Sequence, residues 1–128
     1  MKTTQSTYLP QLAELTLAKV DAALAAMTAT GTIDQINWPE LYPAAPQTTF
    51  TLAHTDHMLY VRYEVKGEEP LSTKTNDLEL VNEDACVEIF IGDKDNTHYW
   101  NFEFNPAGVC NASHRKERKV DVVRLNPE

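Results

Sequence analysis

Asp84-Ala85-Cys86-Val87-Glu88-Ile89-Phe90-Ile91 and Tyr99-Trp100-Asn101-Phe102-Glu103-Phe104-Asn105 decide the fold class of this 128-residue chain. Successive side chains on a strand point to opposite faces. The second stretch therefore places Trp100, Phe102 and Phe104 on one face and Tyr99, Asn101, Glu103 and Asn105 on the other. The first places Val87, Ile89 and Ile91 together, opposite Cys86, Glu88 and Phe90. Between them, Gly92-Asp93-Lys94-Asp95-Asn96-Thr97 has the composition of a turn. Paired antiparallel, the two stretches give a sheet with a dry apolar wall on one side. The other side holds two carboxylates, two amides and two aromatic rings.

That polar side has two readings. Amides and carboxylates bond hydroxyls, and aromatic rings stack on C–H faces, so the set suits a polyhydroxylated ligand. A half-buried polar network tying sheet edges together uses the same residues.

Working outward, Thr49–Thr55 and Met58–Val65 alternate in the same way, joined by Asp56-His57, and predict an antiparallel hairpin. Leu59, Val61, Tyr63 and Val65 share one face, and Tyr60, Arg62 and Glu64 the other. Residues 66–83 form a long polar loop, and such loops in compact domains are often functional. Pro106-Ala107-Gly108 is a further turn, and Val109–Asn111 and Val120–Leu125 are short strands. Leu17, Val20, Leu24 and Met27 fall at helical spacing, with Thr16 as N-cap and Gly31 beyond the end, so a core-packing helix is expected at roughly 17–28. Residues 1–8 read as loose. Pro39, Pro43 and Pro46 preclude regular structure around Trp38 and Tyr42, rings suited to anchoring the segment and also to rimming a ligand. The sum is a mainly β, antiparallel β-sandwich of jelly-roll or immunoglobulin-like type with one short N-terminal helix.

Composition narrows the partners. The net charge is -8, and nucleic-acid or anionic-lipid binding needs clustered positive charge. The one basic run, Arg115-Lys116-Glu117-Arg118-Lys119, reads as a solvated edge or turn. No nucleic-acid or membrane partner is expected. Two cysteines, Cys86 and Cys110, make no disulfide framework and no zinc spacing. The N-terminus lacks the apolar core of a signal peptide, so a cytoplasmic location is expected as written, and an extracellular or periplasmic one if a leader was removed. Asp93, Asp95 and Asn96 alternate oxygen ligands in a loop, a weak pattern for structural calcium. Glu88 and Glu103 on facing strands also fit the spacing of a hydrolytic carboxylate pair. Flanked by Asn101 and Asn105, however, both are set to stay ionised and accept hydrogen bonds, so no enzyme is expected.

At the motif Asp84…Val87-Glu88-Ile89-Phe90-Ile91 paired with Asn101-Phe102-Glu103-Phe104-Asn105, the chain resembles the family 9 carbohydrate-binding modules, and more closely the family 9-like domain of gut Bacteroidales. Ile33-Asp34…Trp38-Pro39 with Tyr42-Pro43, and Leu59-Tyr60-Val61-Arg62-Tyr63-Glu64-Val65, extend the likeness over residues 33–105. The resemblance implies a jelly-roll sandwich that binds oligo- or polysaccharide, attached to enzymes of polysaccharide breakdown. It implies that Glu88 bonds sugar hydroxyls. Glu103 stands where xylanase-attached members have an arginine, and Asn105 matches a nearby asparagine. With Asn101, Arg62 and Tyr99 these form the expected ligand set, and Phe90 offers a second ring. Sugar-binding members clamp the ligand between two tryptophans. Here Leu78-Glu79-Leu80-Val81-Asn82-Glu83 holds no aromatic at the first position, and the second lies in a portion beyond residue 128. Residues 1–128 therefore read as one module-like domain, incomplete at its C-terminus, with a homodimer expected to complete the sheet. The alternative function is a structural or protein-interaction sandwich that has lost sugar binding.

Overall fold

A computed structural model describes residues 2–126. Among the described residues the fold is mainly β, with two four-stranded sheets and one short α-helix, in accordance with the predicted β-sandwich class. The chain forms two compact units, residues 1–68 and 69–128.

The first unit contains β1 (Thr7–Tyr8), α1 (Leu17–Ala25), β2 (Gly31–Ile33), β3 (Gln47–His54) and β4 (Leu59–Lys66). The β3–β4 hairpin pairs antiparallel from Gln47↔Lys66 to His54↔Leu59, as the alternation predicts. Thr55 closes it: its N–H donates to the Met58 carbonyl at 2.9 Å, and its hydroxyl accepts from the Met58 N–H at 3.1 Å. The N-terminal segment is not loose. Thr7 and Tyr8 pair in parallel with Ala53 and His54, and the Leu9 N–H donates to the His54 carbonyl. Backbone groups near a sheet edge are strongly driven to pair, a drive that a polar composition hides. Pro10–Glu14 then forms a 3-10 turn that buries Leu12. Leu12, Val20, Leu24 and Ala53 make the core of this unit, with Leu9, Ala23, Met27 and Tyr60 packed around them.

The helix ends earlier than its spacing predicts, at Ala25, and the Thr16 side chain makes no capping bond. Leu17 is exposed rather than part of the core stripe. It sits at the first helical position, where the chain still runs along the surface. Gly31–Ile33, in the stretch after the helix, pairs with β3. A Cβ on Gly31 would lie 2.7 Å from the Phe50 ring, so only glycine allows this close pairing. Trp38 and Tyr42 are not anchors. They are 64% and 65% exposed, on a turn in which the Trp38 carbonyl accepts from the Leu41 and Tyr42 N–H groups.

The second unit contains β5 (Val87–Gly92), β6 (Tyr99–Phe104), β7 (Cys110–Arg115) and β8 (Val123–Arg124) in the order β5-β6-β7-β8, all antiparallel. The predicted pairing of the two deciding stretches is present, with Glu88↔Glu103, Ile89↔Phe102 and Phe90↔Asn101 in register. The weak strand at 109–111 is longer than predicted and runs to Arg115.

Ahead of β5, the long loop is pinned by Asp84. Its carboxylate accepts from the Thr73 and Lys74 N–H groups at 2.9 Å, the Thr73 hydroxyl at 2.6 Å and the Asn105 amide at 3.0 Å. The loop also docks on the start of β7. Leu78 donates to the Cys110 carbonyl, and the Asp77 carboxylate accepts from the Cys110 N–H. These bonds hold Leu78 at φ 67, a left-handed conformation that costs a non-glycine residue on the order of 1 kcal/mol. Among the described residues, no helix is long and apolar enough to cross a membrane.

Candidate functional site

Strand register in the second unit sorts the polar side chains into three cross-strand rows on one face. Tyr99 stands opposite Gly92 and Arg115. Phe90, Asn101, Ser113 and Arg124 form the second row, across all four strands. Glu88, Glu103 and Asn111 form the third.

The burial of this face differs from expectation. The supposed dry wall of Val87, Ile89, Ile91, Trp100, Phe102 and Phe104 is only half-buried. The polar centre is the more buried: Asn101 is 2% exposed, Glu103 9%, and Asn111 and Ser113 are buried beside them. These short side chains lie on the two central strands and satisfy one another. The Asn111 amide donates to the Glu103 carboxylate at 2.7 Å, and the Arg124 guanidinium donates to the Asn111 carbonyl at 2.5 Å. Asn101 donates to the Glu88 carboxylate at 3.4 Å. No buried side-chain nitrogen or oxygen among the described residues lacks a partner, as buried polar groups require.

The margin toward β5 is different. Glu88 is exposed, and Phe90 is 61% exposed. The Phe90 and Tyr99 rings lie 5.9 Å apart, tilted by 48°. The face is therefore a hydrogen-bonded floor beside an exposed carboxylate and an exposed Phe90 ring that packs on the half-buried Tyr99. The half-buried Cys86 thiol lies against it, 3.8 Å from Glu88. Burial, and then the negative charges of Glu88 and Glu103, push that thiol up to about 11, so it stays protonated and is a poor nucleophile at neutral pH.

Of the predicted ligand set, the second unit brings Glu88, Tyr99, Asn101 and Glu103 onto this face. Asn105 follows just past the end of β6 but is occupied. Its amide donates to the Lys74 carbonyl and to Asp84, and its carbonyl accepts from the Ala107 and Val109 N–H groups. Every hydrogen-bonding position of that side chain is used inside the unit. Arg62 belongs to the first unit, where it bridges Asp21 of the helix and Glu64 of its own strand, each at 3.0 Å. Those carboxylates, Glu64 ahead of Asp21, raise its pKa further, so it works as a link between α1 and β4.

The residues of the calcium pattern lie in the turn between β5 and β6. Asp93 accepts from the Thr97 N–H and hydroxyl, each at 2.7 Å, and from the His98 N–H, while Asn96 takes the left-handed turn position at φ 52. Among the described residues no three His, Cys, Asp or Glu side chains are grouped to hold a metal ion.

Asn111, Ser113, Arg115 and Arg124 are the members the sequence reading missed. The alternation Asn111-Ala112-Ser113-His114-Arg115 was the available signal, since its odd positions continue the polar face.

Residues 18–124 match carbohydrate-binding family 9, and the chain belongs to that family. Its fold is similar to the crystal structure of a candidate carbohydrate-binding protein from Bacteroides uniformis, with a TM-score of 0.83 and 26% sequence identity. That likeness covers 95% of this chain and 56% of the other, so this chain spans a little over half of that protein's length. No curated protein matches the sequence.

Proposed function

We propose that this chain is a non-catalytic carbohydrate-binding module that serves the breakdown of polysaccharide, with its site on the polar face of the β5–β8 sheet. The observation that carries the reading is the exposed Phe90 ring, set between Glu88 and Tyr99 on an otherwise hydrogen-bonding surface. Packing gives no reason for a phenylalanine there, whereas an amphipathic pyranose offers it a C–H face. Glu88 and Glu103 accept bonds from ring hydroxyls, Asn101 holds Glu88 in place, and the Glu103–Asn111 bond fixes the second acceptor. A preorganised set of this kind binds without a large ordering cost. Membership of carbohydrate-binding family 9 supports the same class of ligand.

The test is a two-dimensional amide NMR titration with xylotriose, cellotriose and mannotriose. Shifts confined to Phe90, Tyr99, Glu88 and Glu103 with any of them support the site. A well-dispersed spectrum that none of them moves, nor any acidic saccharide, overturns it in favour of an interaction domain.

A further inference from the structure

The polar face is graded in charge. Its β5 side carries Glu88 opposite Glu103, and its β7–β8 side carries Arg115 and Arg124. Five of the chain's 11 cationic side chains fall within residues 115–124, in a protein of net charge -8. Ser113 pairs with Arg124, which makes Arg115 and Arg124 diagonal neighbours on one face. Like charges so placed repel unless something anionic lies between them, and among the described residues neither guanidinium has an ion-pair partner.

Both are nonetheless held in place by buried polar groups. Arg115 Nε donates to the Ser113 hydroxyl at 2.7 Å and its Nη1 to the Arg118 carbonyl at 2.9 Å. Arg124 Nη1 donates to Asn111. Ser113 is 1% exposed and Asn111 3%. Each anchor uses only part of a guanidinium fork, and among the described residues the remaining N–H groups are left for an anion. A solvated surface arginine needs no such anchoring. Arg115 also stands directly opposite Tyr99 on the neighbouring strand, at the ordinary strand spacing of about 4.8 Å.

We infer that Arg115 and Arg124 form an anion-binding subsite beside the Phe90–Tyr99 platform, and that the saccharide this face takes is an acidic one carrying a carboxylate. The inference rests on the carbohydrate reading of the same face and narrows it. A sugar ring lying on Tyr99 brings its exocyclic carboxylate to Arg115. The planar fork of a guanidinium matches a carboxylate in bidentate geometry. Glu88 at the β5 margin, and Glu103 in register beside it, keep to the neutral hydroxyls and disfavour the reversed orientation.

The experiment is isothermal titration of the full chain with trigalacturonate, with its fully methyl-esterified form, and with a single-stranded thymidine oligonucleotide, each at low and at high salt. Trigalacturonate is expected to bind at least about tenfold more tightly than the ester at low salt, with the preference shrinking as salt screens it. Arg115→Gln is expected to abolish the preference, bringing trigalacturonate to the same affinity as the ester. Arg115→Lys, which keeps the charge, is expected to keep part of it, and a loss caused by misfolding would instead remove binding of both sugars. Equal binding of acid and ester overturns the subsite and leaves the carbohydrate reading standing. No binding of either sugar, nor of neutral trisaccharides, overturns both. Oligonucleotide binding that matches trigalacturonate and is lost in Arg115→Gln makes the pair a general polyanion site and overturns the acidic-sugar assignment.

Discussion

Glu88 on β5 stands directly opposite Glu103 on β6, two carboxylates in register across one strand pair. Like charges directly opposite in a sheet are destabilising. The arrangement therefore costs stability, and on the proposed reading the return is a pair of hydroxyl acceptors.

Glu103→Gln separates the two effects. The amide keeps the shape and can still accept from Asn111, while the repulsion with Glu88 disappears. Thermal stability should hold or rise, by up to about 1 kcal/mol. Saccharide binding should weaken by about 1 kcal/mol, since a neutral acceptor replaces a charged one. Thermal melts and calorimetric titration of one preparation check both. A variant that loses stability and keeps its affinity would make Glu103 a structural residue only.

Phe90→Ala tests the ring platform. The side chain is mostly exposed, so its removal should change stability by no more than about 0.5 kcal/mol, as for other surface substitutions. Binding should fall by on the order of 1 kcal/mol, the scale of a lost aromatic contact. The amide spectrum should otherwise overlay that of the parent protein.

Asn105→Ala should behave in the opposite way. Its four hydrogen bonds join the loop at Lys74, Asp84 and the turn before β7. Each buried group left without a partner costs about 1–3 kcal/mol. A lowered urea midpoint with an unchanged slope is expected. Whatever folded protein remains should bind saccharide as before.

Acid sensitivity should trace to Asp84. Burial alone would raise its carboxyl, but the Thr73 hydroxyl, the Lys74 N–H, the Asn105 amide and the Thr73 N–H outweigh it and hold the group well below the ordinary carboxylate range. A carboxyl whose folded pKa is depressed adds stability that is fully present above its unfolded value of about 4. That stability is lost as pH falls from there toward the depressed folded value. Melting temperature recorded from pH 7 to pH 2 should drop in this window, and Asp84→Asn should flatten the drop. A drop of unchanged size in that variant would assign it to other carboxylates.

Both cysteines should react slowly with iodoacetamide at pH 8. Cys86 is pushed up to about 11 by burial, then by Glu88 and Glu103, and Cys110 is raised by burial, then by Asp77 and Glu103. Glu103→Gln removes a negative charge that bears on both thiols. It should therefore speed alkylation of each, as followed by intact-mass spectrometry. Rates equal to those of the parent would show that the Glu103 charge does not bear on these thiols.

Strand identity, the two central hairpins and the assignment of Glu88, Tyr99, Asn101 and Glu103 to one face were legible in the sequence by itself, because a period of two leaves no freedom once a stretch is a strand. The depth of that face was not legible. Alternation says which side chains share a face but not which face is covered, and the polar centre of β6 and β7 is more buried than the apolar row behind it. Hydrogen-bond allocation was equally hidden. Asn105 and Asn101 read alike in the sequence, yet the loop from Thr73 to Asp84 engages the first with Lys74 and Asp84, while the second stays beside Glu88. The pairing of Thr7 and Tyr8 with β3, and the placing of Arg115 and Arg124 on the Glu103 face, depend on contacts between residues remote in the chain. Local pattern determined the strands and their faces, and tertiary structure decided burial and partners, because those are set by segments that meet only once the chain has folded.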